Sequence, residues 1–97
     1  MDVDRERIPV VVVTAPACHF CDDAERVLAE RADPLGLQVR LVPIDSVEGA
    51  RLVTEHRPAL SPLVLVDGAF FSSGRLPRRK LEKLVAARRA AAVVGGR

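Results

Sequence analysis

The chain has 97 residues, 48% of them hydrophobic, which suits one compact domain with a modest core rather than a disordered or multi-domain protein. The longest uninterrupted apolar run, Val10–Val13, is too short to cross a membrane, and the N-terminal residues lack the basic and apolar regions of a signal peptide. We therefore expect one domain over residues 1–97, with a core of about 8–90, flexible termini and a cytoplasmic location.

The net charge of +2 conceals an uneven distribution. Residues 1–67 carry 7 Arg against 12 Asp or Glu, while residues 68–97 carry 8 Arg or Lys against 1 acid, Glu82. A basic C-terminal helix is typical of a solvated helix face, although it is also compatible with an acidic partner or with nucleic acid. Because the three aromatic residues are all Phe and offer little for base stacking, we do not expect nucleic acid as the partner.

The chain begins with patterns of a strand and then a helix. Ile8–Thr14 is a continuous, largely β-branched run, which is typical of a central strand buried on both faces. From Cys18 to about Ala32, acids crowd the first turns and apolar residues recur at helical spacing, which predicts a helix that Pro34 and Gly36 end. The recurring apolar residues are Phe20, Ala24, Val27 and Leu28.

A second strand and a short helix follow. Leu37–Ile44 alternates apolar and polar residues in its first half, which predicts a strand near a sheet edge, where Pro43 is tolerated. Either Asp45 or Ser46 can cap a helix that ends at about His56. The residues available for its buried side are Val47, Leu52 and Val53.

The last third of the chain predicts a hairpin and a closing helix. Ser61–Val66 and Ala69–Ser72 read as two strands around an Asp67–Gly68 turn. Pro77 fits the first turn of the last helix, and Gly95–Gly96 forms a loose tail. The apolar stripe of this helix consists of Leu81, Leu84 and Val85.

The predicted order is therefore β-α-β-α-β-β-α. A right-handed crossover makes the first two strands parallel, and the hairpin extends the same sheet to four strands. This order alone permits several α/β folds.

The two cysteines of the chain, Cys18 and Cys21, flank His19 and Phe20 where the first strand gives way to its helix. Free backbone N–H groups and the positive end of the helix dipole stabilise a thiolate at that place. Side chains three residues apart on a helix are neighbours, so the two thiols are close enough to form a disulfide. In a cytosolic chain this spacing points to redox chemistry or to metal binding.

The C-x-x-C after the first strand, the X-Pro that enters the third strand and the order of elements resemble the thioredoxin-like fold, a three-layer sandwich around a four-stranded mixed sheet. The absence of an N-terminal strand and helix makes the chain most similar to glutaredoxins. The segment ACHFCDDAERVL resembles bacterial glutaredoxin-like proteins with a C-H-[LF]-C active site. This resemblance implies that Cys18 is the attacking thiol, Cys21 the resolving thiol, Pro62 a cis-proline facing them, and Ser61 a residue whose backbone pairs with substrate.

Departures from the glutaredoxin pattern bear on glutathione. Where glutathione-using members carry a Lys, a T-V-P and a G-G-x-D-D-like segment, this chain has Ala15, Leu60-Ser61-Pro62 and Ser73–Pro77. We expect no cofactor and doubt the use of glutathione. The expected function is exchange of a Cys18–Cys21 dithiol or disulfide with protein or small-molecule disulfides, supported by a separate thiol reductant system.

Alternatives remain at each site residue. The cysteines could hold a metal or share an iron–sulfur cluster in a dimer, or the fold could be a non-enzymatic protein-binding module, although only His19 and His56 remain to complete a zinc site. His19 is either a solvent-exposed loop residue or an imidazolium that lowers the pKa of the Cys18 thiol. We expect Phe20 to anchor the first helix rather than to contact substrate.

Overall fold

The structure is a computed structural model that describes residues 7–95, with side chains described through residue 91. Within this range the chain follows the predicted order β-α-β-α-β-β-α. The elements are β1 Ile8–Thr14, α1 His19–Leu35, β2 Leu37–Pro43, α2 Val47–His56, β3 Leu63–Val66, β4 Ala69–Ser73 and α3 Arg78–Gly95. The termini that we expected to be flexible, residues 1–6 and 96–97, lie outside the described residues.

The four strands form one mixed sheet in the order β2-β1-β3-β4. Strand β1 is central, as its β-branched run predicts: it pairs in parallel with β2 and antiparallel with β3. Strand β2 lies at an edge, so Pro43, its last residue, leaves no gap in a central ladder. The expectation of a four-stranded mixed sheet is confirmed.

Each face of the sheet carries its own hydrophobic cluster, which gives three layers. On one face, alternate residues of β1 pack with α1 and α3. On the other face, the end of β1 packs with α2. Fully buried aliphatic side chains such as Val27 and Leu28 of α1 stabilise the fold by about 1.5–3 kcal/mol each. The predicted three-layer sandwich is confirmed, and it leaves the connection after β1 at the rim of the sheet.

Helix α1 is longer than predicted. It continues through Pro34 to Leu35, and it ends at Gly36, which adopts a left-handed conformation with φ 69°. The backbone N–H of Gly36 donates to the carbonyls of Ala32 and Asp33, which caps the helix. The expectation that Pro34 helps to end the helix is wrong, because a proline in the last turn removes one hydrogen bond only, and Pro34 lies on the exposed side.

Helix α2 is capped by Ser46 rather than Asp45, since the Ser46 hydroxyl accepts from the Gly49 N–H at 3.0 Å. The prediction that Val47 is buried is wrong: its side chain is 90% exposed at the start of the helix. Gly49 and Leu52 face the sheet instead. A Cβ atom on Gly49 would lie 2.0 Å from the Pro43 carbonyl oxygen, so this glycine permits the close approach of α2 to the end of β2.

The β3–β4 hairpin turns at Asp67 and Gly68, both with positive φ (56° and 83°), as the Asp-Gly pair predicts. Helix α3 follows and buries Leu81 and Val85, with Leu84 partly buried, which confirms the predicted stripe. Gly95 is part of this helix and not of a tail.

Much of the charge on α3 is engaged within the molecule. Arg78 pairs with Asp23 at 2.8 Å, and Glu82 pairs with Arg31 at 3.2 Å. Arg89 donates to the backbone carbonyls at the end of α1. The expectation of a solvated basic face therefore holds only for part of the helix, because Arg78 and Arg89 of α3 bind to α1.

Candidate active site

Cys18 occupies the N-cap position of α1, with φ −122° and ψ 107°. A turn connects it to β1, in which Ala17 has a positive φ of 51°. The Cys18 sulfur accepts the Cys21 N–H at 3.1 Å, in the manner of a side-chain cap. The residue is half-buried, and its sulfur lies beside the unsatisfied donors of the helix N-terminus.

Cys21 lies one turn further into α1 and is buried, with 1% of its surface exposed. It forms a disulfide with Cys18, and the two Cα atoms are 5.1 Å apart. Its sulfur also accepts the Ala15 N–H at 3.4 Å. The two sulfurs are therefore not equivalent, because an incoming molecule can reach Cys18 whereas the protein covers Cys21.

Pro62 lies at the same rim of the sheet as the cysteines. In the β1–β3 register Leu63 faces Val13, so the preceding Pro62 lies beside the end of β1, from which the Cys18 turn departs. The Ser61–Pro62 peptide bond is cis, which confirms the geometry that the resemblance implied. Pro62 itself is fully buried, and its carbonyl accepts the Gly74 N–H at 3.0 Å. The contribution of Ser61 and Pro62 to substrate binding stays a prediction.

Two large apolar side chains are exposed in the segments that contain the cysteines and Pro62. Phe20 is 43% exposed and Leu60 is 58% exposed. The expectation that Phe20 anchors α1 is wrong, because Phe20 is exposed and the buried residues of α1 begin at Cys21. Leu60 went unrecognised in the sequence. It lies against Gly74, where a Cβ atom would be 3.0 Å from its Cδ1 atom.

His19 is exposed at the first position of α1. In the part of the chain that the structure describes, its side chain has no hydrogen bond or ion pair, so any influence on Cys18 would act through space. His56 closes α2 on the opposite face of the sheet, as expected for a helix-end residue. The structure thus does not bring His56 to the cysteine pair and His19.

An ion-pair cluster lies just after the cysteines on α1. Asp23 accepts from Arg26 at 2.9 Å and from Arg78 at 2.8 Å. These two guanidinium groups offset one of the negative charges near the disulfide, while Asp22 remains exposed. No sequence pattern predicts the Arg78 contact, since 55 residues separate Arg78 from Asp23.

Two further observations concern metal ligands and membrane-spanning helices. Among residues 7–95, no group of three or more His, Cys, Asp or Glu side chains is placed to hold a metal ion. Over the same residues, none of the helices is both long enough and apolar enough to span a bilayer.

Comparisons with known proteins identify the fold. No family model matches the chain, and no curated protein matches it. Among solved structures, chloroplastic thioredoxin z is similar at 20% identity with a TM-score of 0.69, covering 90% of this chain and 82% of that one. A thioredoxin from Thermus thermophilus is similar at 22% identity with a TM-score of 0.59, covering 99% of this chain and 84% of that one. An oxidised thioredoxin from Plasmodium falciparum is similar at 15% identity with a TM-score of 0.59, covering 89% and 85%.

Identities this low establish the architecture and not the activity. The chain has the thioredoxin-like fold, with its C-x-x-C pair at the junction of β1 and α1. The resemblance read from the sequence is confirmed at the level of this fold.

Proposed function

We propose that this protein is a small thiol–disulfide oxidoreductase that exchanges its Cys18–Cys21 pair with disulfides of proteins or small molecules. The observation that carries the proposal is the asymmetry of the pair. Cys18 is half-buried and its sulfur accepts a backbone N–H at the start of α1, whereas Cys21 is buried and bonded to it. This arrangement supports an attacking thiol with a resolving thiol behind it.

The first step uses the reduced protein. The Cys18 thiolate attacks one sulfur of a substrate disulfide, the substrate S–S bond breaks, and the other substrate sulfur leaves as a thiolate that takes up a proton. The N–H of Cys21 and the helix N-terminus favour the thiolate over the thiol at Cys18 before the attack. The product is a mixed disulfide between Cys18 and the substrate.

The second step resolves that intermediate. Cys21 gives up its proton, its sulfur attacks the Cys18 sulfur, and the substrate leaves as a second thiolate that is then protonated. The Ala15 N–H, which donates to the Cys21 sulfur at 3.4 Å, is placed to stabilise negative charge there. The substrate has gained two electrons, and the protein is left with the Cys18–Cys21 disulfide.

A separate dithiol reductant returns the protein to its reduced form, and we infer that glutathione serves this role poorly. Ala15 supplies no cation for a glutathione carboxylate. In addition, Arg75 and Leu76 occupy the segment where glutathione-using relatives place glycines and acids, so that part of the glutathione-binding pattern is also replaced. The resemblance to glutaredoxins is therefore compatible with a different electron donor. The proposed cycle also fits the reducing cytoplasm.

Reduction of insulin disulfides under two reductants tests this proposal. We expect turnover with a dithiol donor, either dithiothreitol or thioredoxin reductase with NADPH as its electron source, and little turnover with glutathione and glutathione reductase. Cys18→Ser should reduce the rate to the background of the reductant alone, because no other thiol is accessible among the described residues. Rapid glutathione-linked turnover would overturn the donor assignment, and full activity of Cys18→Ser would overturn the function.

A further inference from the structure

A groove of about 500 Å³ lies between edge strand β4 and helix α3. Phe70 and Phe71 line it from the strand, and Lys80, Lys83, Leu84 and Arg88 line it from the helix. The groove reaches toward the hairpin turn, whose Asp67 N–H donates to the carbonyl of Pro9 near the beginning of β1. Because the cysteines follow the other end of β1, the groove is remote from the proposed redox site.

The floor of the groove is apolar and partly open. Phe71 is buried, with 4% of its surface exposed, and Leu84 is partly buried against the same core. Phe70 is 51% exposed, although it is one of only 3 aromatic residues in the chain. A volume of this size is within the usual range for small-molecule sites that combine an apolar lining with a few polar groups.

An added β-strand is not the best occupant of this edge. The Lys80 Nζ atom donates to the Phe71 carbonyl at 3.2 Å and lies 5.1 Å from the centroid of its ring. A lysine that occupies a carbonyl of an edge strand obstructs pairing with another chain. The groove therefore suits a compact ligand that rests on the apolar floor without using the strand edge.

The charged groups of the groove are all cationic: Lys80, Lys83 and Arg88, with no carboxylate among the lining residues. A terminal nitrogen of Arg88 donates to Asp67 at 2.5 Å. Its Nε atom, in contrast, is buried and has no acceptor within the described residues. The Arg88 side chain as a whole is 37% exposed, so the open part of its guanidinium can contact a ligand oxyanion in the groove.

We propose that this groove binds a small organic anion with an aromatic or alkyl body. The anionic group lies between Lys83 and Arg88, whose positive charges balance it, and the apolar body covers Phe70 and Leu84. The site is independent of the thiol chemistry, since none of its residues belongs to the segments around Cys18, Cys21 or Pro62. It is a second function of the same chain.

Two probes test the charge and the body separately. Anilinonaphthalene sulfonate, an aromatic anion whose fluorescence rises outside water, should bind the folded protein and be displaced by octanoate. Octanol has the same alkyl body without the charge, so we expect it to compete at least about tenfold less well. Equal competition by octanol, or no dye binding, would overturn the proposal.

A matched pair of charge reversals locates the site. Lys83→Glu should weaken dye binding by about tenfold or more, while Arg79→Glu, the same change on an exposed residue of α3 outside the groove, should leave it unchanged. Amide chemical shifts on octanoate titration should move at Phe70 and Leu84. Equal weakening in both variants, or shifts confined to Phe20 and Leu60, would contradict the assignment. Circular dichroism confirms that both variants are folded.

Discussion

At the scale of single residues, the structure separates two thiols that the sequence presents as a symmetric pair. Cys18 is a half-buried helix cap, and Cys21 belongs to the core. The difference arises within one helical turn, because the buried residues of α1 begin at Cys21. In the function that we propose, Cys18 therefore reacts with other molecules and Cys21 resolves the mixed disulfide.

The first prediction concerns His19, which directly follows Cys18, the proposed nucleophile. If its imidazolium stabilises the thiolate, His19→Leu should raise the pKa of Cys18, slow its alkylation several-fold at neutral pH and make the protein a weaker oxidant. The ultraviolet absorbance of the thiolate, followed across a pH titration, measures this.

His56→Leu is the matched control for that substitution, because His56 closes α2 on the other face of the sheet. Its titration curve should coincide with that of the unmodified protein. Coincident curves for all three proteins would leave His19 without an electrostatic role.

At the scale of elements, the contact between α2 and β2 depends on a glycine. A Cβ atom on Gly49 would lie 2.0 Å from the Pro43 carbonyl oxygen, which is backbone and cannot move aside cheaply. We expect Gly49→Ala to destabilise the fold by about 2–3 kcal/mol, in the manner of an overpacked core, as measured by urea denaturation.

Gly68→Ala is the comparison for this substitution, since no atom lies within 4 Å of the Cβ position at Gly68 and its φ is 83°. Only the conformational cost of a positive φ applies there, so we expect a loss of about 1 kcal/mol. A smaller loss for Gly49→Ala than for Gly68→Ala would contradict the close approach of α2 to β2.

A surface ion pair joins the same two elements. Glu48 of α2 accepts two hydrogen bonds from Arg40 of β2, at 2.7 and 2.6 Å. The hydrogen bonds from Arg40 lower the pKa of Glu48 below its usual value; desolvation opposes this shift, and the charges of Arg40 and Arg51 add smaller decreases. A carboxyl with a lowered pKa stabilises the fold above its unfolded-state pKa and loses that effect as the pH falls through the folded-state pKa.

The third prediction follows from the lowered pKa of Glu48. Glu48→Gln should lower the denaturation midpoint slightly at neutral pH, and the difference from the unmodified protein should vanish as the pH falls below the ordinary range of glutamate. Glu55→Gln removes longer contacts, to Arg51 at 3.3 Å and to His56 at 4.0 Å, and should change the midpoint less. A difference for Glu48→Gln that grows toward acid pH would show that the pKa shift has the opposite sign.

At the scale of the whole molecule, the sequence predicts the sheet better than it predicts what the helices bury. The β-branched run of β1 and the Asp-Gly turn are local signals, and both are confirmed. Helical spacing shows which residues share a face but not which end of the helix projects beyond the sheet. For this reason Phe20 and Val47 were wrongly expected to be buried.

The residues of the candidate site also divide into those that the sequence predicts and those that it does not. The cysteine pair could be predicted from its spacing, and Pro62 from the resemblance to the thioredoxin-like fold. Leu60 beside Gly74, and Arg78 on Asp23, depend on how loops and helices meet across long sequence separations, for which the sequence shows no periodic signal. The groove between β4 and α3 was unpredictable for the same reason, although the basic character of its helix was evident.

The most direct test of the redox assignment is to trap the intermediate. Without Cys21 a mixed disulfide on Cys18 cannot be resolved by the neighbouring thiol, which otherwise attacks at high effective concentration. We predict that Cys21→Ser, expressed in the native host, accumulates covalent, reductant-sensitive adducts on Cys18 that mass spectrometry identifies. Cys18→Ser should accumulate few, because the remaining Cys21 is 1% exposed. If the two cysteines were equivalent metal ligands, losing either would abolish metal binding and trap no protein. Matching adduct patterns in the two variants, or none in either, would contradict the assignment of Cys18 as nucleophile and Cys21 as resolving thiol.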